Sequence, residues 1–121
     1  MVEIQAHPGR ERLVMVFRGQ VLDGELEQAE RDLQQALPRI GPRFDMISDV
    51  SAAEALSPAA LARVRRMAEL IVSAGLRTHV RVVGRSGQAA LQFQRISRAV
   101  GYDPLLAYSF AEAEQLLDGP G

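Results

Sequence analysis

Hydrophobic and polar residues alternate at the start of the chain and then give way to a continuous apolar run. Val2, Ile4 and Ala6 alternate with polar residues, a pattern typical of a strand with one buried face. Residues 13–17 are all apolar, which indicates a central strand covered on both faces. Proline and glycine at residues 8 and 9 have the chemistry of a turn. The pattern therefore predicts a hairpin.

Helices are predicted to alternate with strands along the rest of the chain. Apolar residues recur there at steps of three and four between glycine and proline signals. The predicted helices cover residues 23–37, 58–74, 88–100 and 109–117, and the strands between them cover residues 44–50, 79–83 and 105–108. Ser57 is expected to cap the second helix, with Pro58 at its first position.

The order ββαβαβαβα predicts a single α/β domain over residues 1–121, with a frayed tail at residues 118–121. Strands joined by helices pair in parallel through right-handed crossovers, so the sheet is expected to be mixed and mostly parallel. The hairpin gives this sheet an antiparallel edge.

Several short segments of the chain carry a family resemblance. They are Phe-Arg-Gly-Gln-Val at residues 17–21, Asp-Val-Ser at 49–51, Leu-Ser-Pro-Ala-Ala-Leu at 56–61 and Tyr-Ser-Phe-Ala-Glu-Ala at 108–113. At this spacing they resemble the STAS domain, the SpoIIAA-like fold of bacterial anti-sigma-factor antagonists. The resemblance covers nearly the whole chain. It implies a non-enzymatic regulatory module that binds a protein partner of the anti-sigma or serine-kinase type.

One stretch departs from the family pattern. Where the antagonists have Asp-Ser-Ser-Gly, with a serine that a partner kinase phosphorylates, this chain has Ser57, Pro58, Ala59 and Ala60. The resemblance therefore implies a divergent member that lacks the usual phosphoacceptor serine and its switch. The related SEC14-like domains leave an alternative open, a binding module for a small apolar or anionic metabolite. Such a module needs a closed cavity of roughly a few hundred Å³.

The sequence offers two candidate sites. Partners and ligands meet open α/β sheets at the rim formed by the carboxyl ends of parallel strands. The resemblance implies a partner or phosphosite surface on that rim, at the start of the second helix, which comprises Asp49, Ser51, Ser57, Pro58, Arg63 and Arg66. The candidate anion site comprises Arg85, Ser86 and Gly87, which join a strand to a helix start whose N–H groups favour an anion. Ordinary helix capping is the alternative for both groups.

Composition narrows the function classes further. The 121 residues include 14 basic ones, all arginine, and 15 acidic ones, so a net charge of −1 offers no basic field for nucleic acid. The lack of cysteine excludes disulfides and thiolate chemistry. No apolar run is long enough for a membrane span, and residues 1–4 do not resemble a signal peptide. The expected location is the cytoplasm.

No motif in the sequence indicates catalysis or a cofactor. His7 and His79 are the only imidazoles, and the sequence contains no Gly-x-Ser-x-Gly elbow. Asp45 and Asp49 share a strand face but are separated by roughly 13 Å, too far to share a proton. The ligand spacing of metal sites is also absent. We therefore expect no catalytic residue, cofactor or metal, and a homodimer stays open.

Overall fold

The computed structural model describes residues 1–84 and 87–119. In this part of the chain, five strands form one sheet in the order β1-β2-β3-β4-β5. The strands are β1 (Val2–His7), β2 (Arg12–Gly19), β3 (Phe44–Ala53), β4 (Leu76–Val82) and β5 (Leu105–Ala107). The helices are α1 (Asp23–Ile40), α2 (Pro58–Ala74), α3 (Gly87–Ala99) and α4 (Phe110–Asp118), and a 3-10 turn (Pro8–Arg10) joins β1 to β2.

The sheet is mixed, as the sequence predicts. β1 pairs antiparallel with β2, so the hairpin forms one edge. The other neighbouring strands pair in parallel, and each is connected to the next by a helix. Strand order along the chain is therefore also strand order across the sheet. These pairings confirm the predicted α/β class and the order ββαβαβαβα.

Two separate cores cover the two faces of this sheet. The larger core packs α1, α2 and α3 against strand residues that include Leu13 and Met46. The smaller core packs α4 against Val14, Ile47 and Val80. Because successive strand residues point to opposite faces, the central strands bury both of their faces whatever the polarity of the side chains.

Some element ends differ from the prediction. α1 continues through Pro38 to Ile40, because a proline in the last turn removes a single hydrogen bond while Ile40 is buried in the core. β4 begins at Leu76 rather than His79, since Gly75 ends α2 and its carbonyl accepts a hydrogen bond from Phe44 N–H of β3 at 3.2 Å. Asp118, expected in the frayed tail, is the last residue of α4.

Candidate functional site

The carboxyl end of β3 and the start of α2 form an exposed rim. We call its exposed residues the β3–α2 rim: Ser51, Ala52, Glu54, Ala55, Ser57, Pro58 and Ala59. Asp49 lies just below it, and its Oδ1 accepts hydrogen bonds from the Ser51 N–H at 3.0 Å and the Ser51 hydroxyl at 2.6 Å. Both residues belong to β3, so Asp49 is engaged by a contact within the last part of its own strand. This contact is not the helix capping named as the alternative.

The β3–α2 rim is tied to α3 by a pair of hydrogen bonds. The Leu56 N–H donates to Gln92 Oε1 at 2.8 Å, and Gln92 Nε2 donates to the Leu56 carbonyl at 3.0 Å. The Leu56 side chain is itself buried, with 6% of its surface exposed. Backbone and side chain together fix the position of the segment, so the rim is a rigid surface. The sequence does not reveal the role of Gln92, because a glutamine on a helix has no preferred partner.

Ser57 caps α2, as predicted. Its hydroxyl oxygen accepts a hydrogen bond from the Ala60 N–H at 3.1 Å, and Pro58 occupies the first turn, where a missing N–H costs nothing. The Ser57 hydroxyl is therefore engaged within the chain although the residue is exposed. A carboxylate or phosphate at this position would face the N–H groups of the same helix turn.

Arg63 and Arg66 pair with acidic residues of the chain itself. Arg63 lies 3.1 Å from Glu30 and 3.4 Å from Glu27, and Arg66 lies 3.5 Å from Glu30. Both glutamates belong to α1, so the two arginines join α2 to α1. Arg66 keeps 59% of its side chain exposed, whereas Arg63 keeps 23%. Of the two, only Arg66 presents most of its surface to solvent.

The candidate anion site lies mostly outside the described residues. Arg85 and Ser86 fall in the gap, whereas Gly87 is exposed and begins α3. The residue before the gap is in close contact with the rim: a Cβ at Gly84 would come within 2.5 Å of the Ser51 carbonyl oxygen. Glycine is required at this position because the ends of β3 and β4 approach each other so closely.

A buried polar cluster, which is not among the predicted sites, lies under α2 and α3. Its members are Ser48, His79, Arg81, Ser97 and Tyr102. Ser48 Oγ lies 2.6 Å from His79 Nε2, and His79 Nδ1 lies 2.8 Å from the Tyr102 hydroxyl. Ser48 and His79 each expose less than a twentieth of their surface, at 3% and 4%. The imidazole is thus hydrogen-bonded at both nitrogens inside the protein.

Arg81 is the charged member of the buried polar cluster. Its Nη2 donates to Ser97 Oγ at 2.7 Å, and Ser97 donates in turn to the Phe93 carbonyl at 3.2 Å. The guanidinium carbon lies 5.6 Å from the centre of the Phe93 ring, a cation–π contact. Arg81 exposes only 3% of its surface, and its Nε is buried with no hydrogen-bond partner among the described residues.

Burial governs the protonation of this cluster. It lowers the pKa of His79 well below the usual 6.5, and the nearby Arg81 charge lowers it further. Burial also lowers the pKa of Arg81 and raises that of Tyr102, where hydrogen bonding to Ser97 and the Arg81 charge oppose the rise. His79 is therefore neutral near pH 7, and Arg81 carries the positive charge of the cluster.

A small cavity adjoins the cluster. It has about 30 Å³ of space for water-sized groups and lies between the sheet and helices α2 and α3. Apolar side chains such as Met15, Met67 and Phe93 form most of its wall, and Ser48, His79, Arg81 and Tyr102 supply the polar part. Larger spaces of about 340 and 420 Å³ are grooves beside α3 and β5, bordered by exposed residues such as Leu105 and Tyr108.

The sequence did contain a signal for the buried polar cluster. His79 and Arg81 alternate with Val80 and Val82 in β4, which suggests a strand with one polar, solvated face. β4, however, lies between β3 and β5 in a sheet with helices on both faces. Polar side chains on such a strand are buried, and His79 accordingly exposes only 4% of its surface.

Two other features are absent from residues 1–84 and 87–119. No three His, Asp or Glu side chains come together there as they would around a metal ion. No helix in the same ranges has the length and apolar character that a membrane crossing requires.

Comparison with known proteins finds similar structures but no match by sequence. No family model and no curated protein matches the sequence. An uncharacterised DUF3478-family protein with a SpoIIAA-like fold, from Shewanella loihica PV-4, superposes with a TM-score of 0.70 at 16% identity, covering 97% of this chain and 92% of its own.

Two neighbours are anti-sigma factor antagonists. Unphosphorylated SpoIIAA has a TM-score of 0.64 at 15% identity, covering 99% of this chain and 100% of its own. An antagonist from Mycobacterium paratuberculosis has a TM-score of 0.60 at 15% identity, covering 98% of this chain and 94% of its own. Sequence identities this low are evidence for the fold alone, and the fold agrees over nearly the full length of each chain. The chain therefore has the SpoIIAA-like fold of the STAS domain.

Proposed function

We propose that the chain is a non-enzymatic regulatory module that binds a protein partner through the β3–α2 rim. The observation that carries this proposal is the full-length likeness to two anti-sigma factor antagonists. By the same likeness, the proposed partner is of the anti-sigma or serine-kinase type, and the proposed location is the bacterial cytoplasm.

The geometry of the β3–α2 rim supports a binding role. Ala55, Pro58 and Ala59 are exposed, and the hydrogen bonds between Leu56 and Gln92 hold the segment in place. A preformed surface loses little conformational entropy when a partner docks. Leu56 is buried and cannot contact a partner. The contact surface proposed here is therefore made of small exposed side chains.

We propose that this module works without the usual serine phosphoswitch. Ser57 is the remaining serine of the stretch, and its hydroxyl caps α2. Aspartate caps a helix about as well as serine, and its charge is favourable at a helix N-terminus. Ser57→Asp should therefore leave partner binding and the unfolding midpoint unchanged, whereas a true switch would lose partner binding in this variant.

The contact between Ser48 and His79 does not support catalysis. A nucleophilic serine needs a base oriented by a third group and a route for substrate. Both residues are buried, and the adjoining cavity has room for only a few atoms. We expect no esterase or phosphatase turnover. Turnover that a Ser48→Ala change abolished would contradict the non-enzymatic part of the proposal.

The alternative of a SEC14-like ligand carrier has less support. A carrier of a metabolite encloses roughly 300 Å³ or more. The cavity beneath α2 and α3 offers about a tenth of that, 30 Å³. The larger grooves beside α3 and β5 lie at the surface and do not enclose a ligand.

Partner capture from the native host, with identification by mass spectrometry, tests the proposed function. Ala55→Arg and Ala59→Arg place bulky charges on the β3–α2 rim and should abolish recovery of the partner. Ser73→Arg is the matched control, because Ser73 is also exposed but lies at the far end of α2. Equal loss with all three variants, while circular dichroism shows intact folds, would place the binding surface elsewhere.

A further inference from the structure

Arg81, which lines the cavity under α2 and α3, has one buried hydrogen-bond donor without a partner among the described residues. This donor is the Nε–H, which has no partner in residues 1–84 and 87–119, although Nη2 of the same group donates to Ser97. No aspartate or glutamate of the described chain lines the cavity, and none forms an ion pair with Arg81. A guanidinium in this position lacks the carboxylate that a buried arginine normally has.

The hydroxyl groups around His79 add a further donor. Ser48, the neutral imidazole and Tyr102 together carry three polar hydrogens, whereas two hydrogen bonds join the three side chains. If Nε2 carries the imidazole hydrogen, the Ser48 hydroxyl hydrogen is left over. If Nδ1 carries it, the Tyr102 hydroxyl hydrogen is donated to Ser97 instead. Ser48 lines the cavity, so its hydroxyl is a spare donor there when Nε2 carries the imidazole hydrogen.

The described residues that line the cavity carry positive charge and no negative charge. Arg81 is positive, and His79, Ser48 and Tyr102 are neutral, so nothing in the wall offsets the guanidinium charge. The Phe93 ring face and the Ser97 hydroxyl stabilise it only in part. A negatively charged acceptor in the cavity would pair with the Arg81 charge and accept the spare donors together.

We propose that this cavity binds a small monovalent anion, held by Arg81 Nε and by the Ser48 hydroxyl. The space of about 30 Å³ sets the size of the ligand. A single water needs about 10–15 Å³ on the same measure, so chloride or formate fits and a longer carboxylate does not. This site is separate from the β3–α2 rim, and its occupation does not depend on the proposed protein partner.

Nuclear magnetic resonance of the arginine Nε–H groups tests the proposal directly. The ¹⁵N-labelled wild-type protein is titrated with sodium formate and, separately, with sodium chloride, at ionic strength kept constant with sodium sulfate. The Arg81 Nε–H signal should shift along a saturating curve. Arg95, exposed on α3, serves as the internal control, and its signal should show only a small drift without saturation. Sodium hexanoate should not produce the saturating shift, because its chain exceeds the cavity.

Thermal unfolding with a matched pair of variants provides the second readout. Formate should raise the unfolding midpoint of the wild type, because a ligand that binds the folded state stabilises it. Arg81→Met should lose this increase entirely, whereas Arg95→Met should keep it. The proposal is overturned if the Arg81 Nε–H signal does not shift with formate or with chloride. A hexanoate shift equal to that of formate, or an undiminished midpoint increase in Arg81→Met, overturns it as well. If Arg81→Met does not fold, the wild-type titration decides alone.

Discussion

Two buried arginines, one on each face of the sheet, are accommodated in different ways. Arg12 begins β2 on the face covered by α4, and its Nη2 lies 2.6 Å from Asp118 Oδ1. Arg81 lies in β4 on the opposite face, where its polar partner is the hydroxyl of Ser97. Both side chains are about equally buried, with 5% and 3% of their surface exposed. Of the two, only Arg12 pairs with a carboxylate in the part of the chain that the structure describes.

The comparison shows how the two helical layers differ. α4 ends in Asp118, so the pairing with Arg12 attaches the end of that helix to the sheet. The smaller core beneath α4 consists of a few aliphatic residues around Ile47 and Val80, which makes an additional attachment important. On the other face three helices bury a much larger apolar surface. The fold there tolerates an arginine whose charge is matched by no carboxylate of residues 1–84 and 87–119.

Removing the carboxylate from the paired arginine should have the largest effect. Asp118→Ala leaves the Arg12 guanidinium buried without its counter-charge, and breaking such a pair is more costly than never having one. The unfolding midpoint should fall further than for any other change described below. Calorimetry measures it, and the double variant Arg12→Met with Asp118→Ala should recover most of the loss. A double variant as unstable as the single one would mean that the pair contributes nothing through its charge.

Acid should weaken the same attachment. The hydrogen bond from Arg12 holds the pKa of Asp118 below its ordinary value of 3.8, with the charges of Arg12 and Arg10 contributing. A carboxyl group with a lowered folded-state pKa stabilises the protein above the unfolded-state pKa, and this contribution is lost as pH falls through the lower value. In Asp118→Ala, the free energy of unfolding should therefore fall less steeply than in the wild type as pH drops below about 4.

The next largest effect is expected at the unpaired arginine. Ser97→Ala removes the acceptor of Arg81 Nη2 and leaves a second buried donor of the same guanidinium unsatisfied. An unsatisfied buried donor costs about 1–3 kcal/mol, so the free energy of unfolding should fall by about 2 kcal/mol. Denaturant titration measures this, and Ser73→Ala on the exposed face of α2 should change stability by less than about 0.5 kcal/mol. Equal effects of the two changes would contradict the role assigned to Ser97.

The burial of His79 beside Arg81 should also appear in the pH dependence of stability. Burial and Arg81 hold the pKa of His79 well below 6.5 in the folded state, so the unfolded chain binds more protons below that pH. The free energy of unfolding should therefore fall as pH drops below 6.5, by at most about 1.4 kcal/mol per pH unit from this residue. His79→Gln should remove this slope, whereas His7→Gln, at an exposed position, should retain it. If the free energy of unfolding depends on pH equally in both variants, groups other than His79 cause the dependence.

Sequence patterns predicted the elements of this fold well because each rests on local chemistry. The alternation of β1, the Ser57-Pro58 start of α2 and the Gly75 stop all depend on neighbours in the chain. Ser57 was identified as a cap from sequence for the same reason.

The two buried arginines were missed because their environment is created by distant residues. Arg12 contacts Asp118 across 106 positions of sequence, and Arg81 contacts Ser97 only once α3 covers β4. An alternating pattern such as that of β4 does not say which face is covered. The location of the rim follows from the sequence, but its rigidity depends on the hydrogen bonds of Leu56 to Gln92, which sequence spacing alone does not show. The pairing of Arg63 with Glu30 is likewise not visible in the sequence.

The smallest effect is expected at a third arginine that shares the carboxylate of the first. Arg10 lies 3.0 Å from Asp118 and 3.7 Å from Glu114, but its side chain is 53% exposed. An exposed ion pair gains little because water solvates both charges when the pair is broken. Arg10→Gln should leave the unfolding midpoint within the scatter of repeated melts, in contrast to the large fall expected for Asp118→Ala. Both variants break an ion pair of Asp118. The difference between their unfolding midpoints therefore isolates the contribution of the buried Arg12. A loss in Arg10→Gln comparable to that in Asp118→Ala would mean that surface charge near the end of α4, rather than the buried guanidinium, holds this helix on the sheet.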